Sequence, residues 1–194
     1  MAVVVKLEQV LKLLKMNHQT KLLTLFISTF IVSSVTVGTV LAQAKLTSQS
    51  KVSINGIGPI QVGMTVSQAA KAGSIRLVKS PGQNNSCYYV NPQGEPREVS
   101  FMVTDGTISR VDVRKNNRIT TLSGAKIGDT EARIKSLYPG QIQVTPHKYV
   151  DGHYLTFIPK DGSNYRVVFE TDGQRVTEFR SGKLPEVEYV EGCS

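Results

Sequence analysis

One pattern of residues is written twice along this chain, over 58–115 and again over 123–182. The first copy opens Gly58-Pro59-Ile60-Gln61-Val62-Gly63-Met64-Thr65, the second Gly124-Ala125-Lys126-Ile127-Gly128-Asp129-Thr130. Gly63 answers Gly128 and Thr65 answers Thr130; further on, Thr104-Asp105-Gly106 answers Thr171-Asp172-Gly173. In each copy a helix-sized segment precedes strand-sized ones. Two copies of so small a unit pack into one body, because neither buries its apolar face well alone. The expected organisation is one compact domain, with a first repeat over 56–118 and a second over 119–194 that includes a C-terminal tail.

Local signals fill in each copy. Thr65 is placed to cap a helix running to Gly73, with Gln68 completing a capping box. Val66, Ala69 and Ala70 give it a small apolar stripe. Strand signals follow at Ile75–Lys79, Cys87–Val90, Glu98–Thr104 and Thr107–Arg114. In the second copy Asp129 or Thr130 caps a helix through Tyr138, and Pro139-Gly140 stops it. Strands then read Gln141–Val150, His153–Ile158, Asn164–Glu170 and Gln174–Arg180. Asp-Gly stands at 105–106, 151–152, 161–162 and 172–173, a hairpin signal because tight turns need positive φ. The expected fold class is α+β: two tandem repeats, each a short helix followed by about four antiparallel strands, with the helices on one face of the sheet. Residues 45–55 are polar and short of anchors, and read as a flexible lead.

The N-terminus carries an address. Lys6, Lys12, Lys15 and Lys21 precede a run from Leu22 to Leu41 that holds no charge, and Ala42-Gln43-Ala44 follows. That is the pattern of a secretory signal over 1–44, cleaved after Ala44. Met16 is an alternative start. The rival reading is an uncleaved membrane anchor over 22–41, since about 20 apolar residues span a bilayer. No Cys follows the run, so lipid attachment there is excluded. The signal lysines supply part of the formal charge of +8. Arg110, Arg114, Lys115 and Arg118 cluster at the end of the first repeat, read as a solvated surface. With no aromatics interleaved in that cluster, nucleic acid is a poor partner.

The two cysteines, Cys87 and Cys193, both follow the signal, and an even count in an oxidising compartment favours a disulfide. Two cysteines without a neighbouring His are far short of a zinc set. No Gly-x-Ser-x-Gly or phosphate-cradling Gly-x-x-x-x-Gly-Lys appears. A two-residue turn at Asp151-Gly152 would pair Val150 with His153 and Tyr149 with Tyr154, and would put His147 and His153 on opposite faces, unable to share a metal. Asp105, Asp151, Asp161 and Asp172 each precede Gly, and turn chemistry accounts for them. The expectation is no catalytic residue, no cofactor and no metal.

The Val62-Gly63-Met64-Thr65 and Ile127-Gly128-Asp129-Thr130 helix starts, with the strands after each, resemble the repeat unit of the SmpA/OmlA family. Two such units in tandem in an exported chain are similar to the β-lactamase-inhibitor protein family. The missing lipobox Cys, a cysteine pair that would bridge repeat and tail, and Asp129 where Met is expected are departures from those patterns. What the resemblance implies is a concave sheet that binds another protein.

The functional expectation is a non-catalytic, exported envelope module that binds an envelope or secreted protein through its sheet face. An inhibitor of a secreted hydrolase is the first alternative. A small ligand-binding protein or enzyme is the second, with Arg166, Arg175 or Arg180 as anion contacts. The aromatic surplus suggests an outward-facing set, and Tyr88, Tyr89, Tyr149 and Tyr154 are the candidate contact residues.

Overall fold

The structure, a computed structural model, describes residues 45–193; the expected signal or anchor lies outside them. Among the described residues no helix is long and apolar enough to cross a membrane. The fold is α+β. A small sheet comes first, of β1 (Val52–Ser53), β2 (Gly56–Ile57) and β3 (Ile60–Gln61). Then come α1 (Val66–Gly73), β4 (Leu77–Lys79), β5 (Cys87–Pro92), β6 (Val99–Thr104) and β7 (Thr107–Arg114). They are followed by α2 (Glu131–Leu137), β8 (Ile142–Pro146), β9 (His153–Phe157), β10 (Tyr165–Thr171) and β11 (Val176–Lys183). A 3-10 turn at Glu186–Glu188 precedes the tail.

The eight later strands form one antiparallel sheet in the order β4-β5-β6-β7-β11-β10-β9-β8. The strand set after α1 and the strand set after α2 therefore meet at β7 and β11, in mirrored order. Both helix starts are clamped onto the sheet alike. The Gly63 N–H donates to the Ile108 carbonyl at 2.8 Å and Ile108 to Met64 at 2.8 Å. Gly128 donates to Val176 at 2.8 Å and Val176 to Asp129 at 2.9 Å. Thr65 caps α1 with the full capping box and Thr130 caps α2.

Alternation along the strands sorts the side chains onto two faces. The inner face carries Val99, Phe101, Val111, Val113, Phe169 and Phe179, all nearly inaccessible. Ala69 of α1, Ile134 of α2, and Val52, Ile57 and Ile60 of the small sheet join them in one core. Phe169 and Phe179 sit opposite each other on β10 and β11, ring centroids 5.7 Å apart.

Three sequence expectations need correction. The lead over 45–55 is not short of anchors: Leu46 and Val52 are each 1% exposed, and the Leu46 N–H donates to Gly73 at 2.9 Å. Two apolar side chains and one strand pairing suffice to fix it. The hairpin after β8 is not a two-residue turn, since Pro146 pairs with His153 and Thr145 with Tyr154. Its Gly152 lacks positive φ; it is small because a Cβ there would lie 2.0 Å from the Thr171 carbonyl. Of the four Asp-Gly pairs, only Asp105-Gly106, with φ of 51° and 77°, makes the tight two-residue turn. The aromatic surplus is not an exposed set: Phe101, Phe169, Phe179 and Tyr154 are buried, Tyr88 and Tyr89 are half-buried, and Tyr149 is 59% exposed.

Candidate functional site

The opposite, outer face of the sheet starts from alternation of another kind. Arg110, Asp112 and Arg114 of β7 face outward, beside Glu178 and Arg180 of β11. Register sets Asp112 opposite Arg180 and Arg114 opposite Glu178. Such a row belongs in water, yet Arg110 is 1% exposed and Arg180 3%. The cover is the C-terminal tail, which runs across this face from Leu184 to Cys193.

The tail is held by its own backbone. Arg110 forks onto the Asp112 carboxylate at 2.8–3.1 Å, then donates through Nη1 to the carbonyls of Glu186 at 3.1 Å and Tyr189 at 2.6 Å. Arg180 donates through Nε to the Val187 carbonyl at 2.6 Å. A single 3-10 turn leaves the accepting capacity of its carbonyls largely unused, and two guanidiniums supply donors. Val187 is fully buried against Tyr154 and Val168. The Thr104 hydroxyl donates to Glu186 Oε1 at 2.7 Å. Cys193 closes the arrangement in a disulfide to Cys87, Cα atoms 5.3 Å apart, as the cysteine count predicts. Close approach requires Gly192, where a Cβ would lie 2.8 Å from Tyr89 Oη.

Charges on this face are paired among themselves. Glu170 accepts from Arg180 Nη1, and its other oxygen lies 3.2 Å from His147 Nε2. Burial alone would raise the Glu170 carboxyl, but the Arg180 charge and these hydrogen bonds hold it below its usual range. Glu178, directly opposite Glu170, is pushed up, by burial first, against the pull of Arg114. Neighbouring carboxylates driven apart in this way suit acid–base chemistry, but here each already holds an arginine. The Tyr89 hydroxyl accepts from Arg110 at 2.7 Å and is pushed up to about 12 by burial and the Asp112 charge.

His147 shapes the rim. Its Nδ1 accepts from the Tyr149 and Val150 N–H groups at 3.1 and 3.3 Å, which orders the loop after β8. Its ring stacks on Tyr154 at 4.4 Å. From this loop Lys148 reaches Glu191 of the tail at 2.9 Å, and the Tyr149 hydroxyl donates to the same carboxylate. His153 lies on the inner side, 2.7 Å from Glu131 of α2. The two histidines thus sit on opposite faces, although the hairpin register differs from the expected one.

The tail leaves an open cleft on each side. One, of about 310 Å³, is lined by Gln143, Thr145, Tyr154, Thr156, Arg180 and Glu188. The other, of about 370 Å³, is lined by Ser80, Gln83, Tyr89, Asn91, Ser100 and Arg114. Val190 borders both.

The four candidate tyrosines do not form one cluster. Tyr88 packs on the inner core under Lys79. Tyr89 and Tyr154 lie on the outer face at opposite sides of the tail, each lining one cleft. Tyr149 is 59% exposed on the loop, not beside Tyr154 on a strand. Sequence reasoning did not assign Arg110, Glu170 and Val187 to this site. The available signal was the cysteine pair, which ties the tail to an outward position of β5.

No family model matches the chain, and no curated protein matches it. Among solved structures it is similar to the crystal structure of the uncharacterized protein yfeY from Escherichia coli, with a TM-score of 0.46 at 20% identity, over 69% of this chain and 99% of that one.

Proposed function

We propose that the chain is a duplicated helix-plus-four-strand unit, exported, that binds a protein partner without catalysis through the outer face of its sheet. The mirrored strand order and the matching clamps at Gly63 and Gly128 support the duplication. A disulfide spanning 106 residues fits an oxidising compartment.

The observation that carries the binding role is the rim of the outer face. Tyr149 and Val150 are 59% and 55% exposed on the loop and Tyr189 is 42% exposed on the tail, elements that Glu191 joins. Exposed tyrosines are the residues that anchor protein interfaces. Arginines, disulfide and His147 fix the surface beneath them, and a preorganised surface loses less entropy on binding. If the sheet is concave, as in the resembled families, both clefts open toward one partner. Inhibition of a secreted hydrolase is a special case of the same geometry.

The test places a photo-crosslinking residue at Thr145 in one cleft, at Ser80 in the other, and at Ala132 on α2. The expected result in the native envelope is one shared adduct from both clefts and none from Ala132. Adducts from Ala132 alone would overturn the proposal, as would substrate turnover that Glu188→Gln abolishes. Adding the purified chain to a hydrolase panel then separates an inhibitor from an assembly factor.

A further inference from the structure

The tail is seated as a peptide ligand is seated. Its carbonyls at Glu186, Val187 and Tyr189 take guanidinium donors from two central strands. Val187 fills a socket of Tyr154 and Val168, with Leu184 and Val190 of the tail packed at its edge. The flanking acids are met by polar or basic groups: Glu186 by Thr104 and by Lys183 at 3.3 Å, Glu191 by Lys148. Backbone recognition of this kind is indifferent to most side chains. The selectivity left is for an acid followed by an aliphatic residue, Glu186-Val187, with a second acid at the position of Glu191.

We infer that the outer face is a docking site for a partner-protein segment with an acidic–aliphatic pair and a further acid four residues on, occupied in cis by the chain's own tail. This rests on the outer face being the binding face. With the Cys87–Cys193 bridge closed, the cis segment cannot leave. A dithiol opens it by exchange: the dithiol becomes a disulfide, and Cys87 and Cys193 become thiols. The untethered tail still competes at an effective concentration of roughly millimolar, so a partner segment must match it closely.

The test uses full-length chains and a labelled peptide of sequence 185–192. In the Cys193→Ser, Val187→Asp double variant the cis tail cannot seat. The expected result is saturable binding of the peptide to this variant, and about a hundred-fold weaker or no binding to the oxidised wild type, as tethered competition requires. The same peptide carrying Val187→Asp should not bind. No saturable binding to a double variant that keeps its sheet by circular dichroism would overturn the inference. Binding accompanied by dimer formation would also overturn it, because the natural occupant would then be a second copy's tail. If the double variant does not fold, wild type cut at a protease site inserted between Lys183 and Leu184, then reduced, replaces it. Its tail should dissociate and be competed by the peptide, and a tail that stays in place contradicts the inference. Failure of the peptide with cleft crosslinks intact removes only this inference; loss of the crosslinks removes the binding face itself.

Discussion

The two faces of the sheet are buried by opposite means. The inner face is closed by helices and a small sheet through Phe101, Val111, Phe169 and Phe179, and the buried charged groups among the described residues, Arg110, Asp112, Glu170, Arg180 and Glu186, lie on the other side. The outer face is closed by a ten-residue tail with one turn of 3-10 helix, and Arg110, Asp112 and Arg180 are buried beneath it. An amphipathic helix offers an apolar stripe, so area alone can hold it. A tail with little periodic structure offers carbonyls and a few side chains, so directional, charge-assisted hydrogen bonds must hold it. The first kind of closure is non-specific and permanent. The second is specific, and on our reading it is the one that recognises a partner.

The comparison breaks if either face behaves like the other. Phe169→Ala should cost about 3–5 kcal/mol by cavity formation, read from chemical denaturation. Asp112→Ala should cost a comparable ~3–5 kcal/mol, because it strands the buried Arg110 charge. A cost under about 1 kcal/mol, typical of an exposed pair, would show that the outer face is in effect solvated. Cys193→Ser should cost about 2–4 kcal/mol, chiefly through the unfolded chain, leaving the inner-face near-ultraviolet signal of the folded state unchanged.

Acid and alkali both reach groups of the outer face. Glu170 has a depressed folded carboxyl, so its contribution is present above the ordinary glutamate value of about 4.3 and is lost as pH falls through its lower folded value. Glu170→Gln should flatten the stability profile in that acid range. Tyr89 is raised to about 12, so its contribution is full below the ordinary tyrosine value of about 10 and is lost as pH climbs between the two. Tyr89→Phe should remove that alkaline decline. The smallest effects compare the helix starts. Thr65→Ala and Thr130→Ala should each cost about 1 kcal/mol, Thr65 more, because Gln68 shares its capping box.

Where the sequence was locally periodic it was legible. Thr107–Arg114 is a strand with the expected ends, Thr65 and Gln68 form the expected box, and Cys87 meets Cys193. The small first sheet escaped because its strands are two residues long and give no period. The loop after β8 escaped because its shape depends on His147 accepting two backbone donors, which no turn dipeptide encodes. Arg110 reads from alternation as an outward, solvated arginine. Its burial depends on a tail whose path is set by a disulfide, which the cysteine pair signals, and by backbone carbonyls, which have no sequence pattern. The tail that separates Tyr89 from Tyr154 on the outer face therefore leaves no mark in strand alternation.

Amide hydrogen exchange on the oxidised and the reduced chain tests most directly whether the tail is a ligand of the outer face rather than part of the core. The account predicts that reduction speeds exchange at residues 184–193 and in the loop at Lys148, Tyr149 and Val150, as a local opening. The amides of β6, β7, β10 and β11 should keep their protection. Loss of protection throughout the sheet, or an unchanged tail, would contradict it.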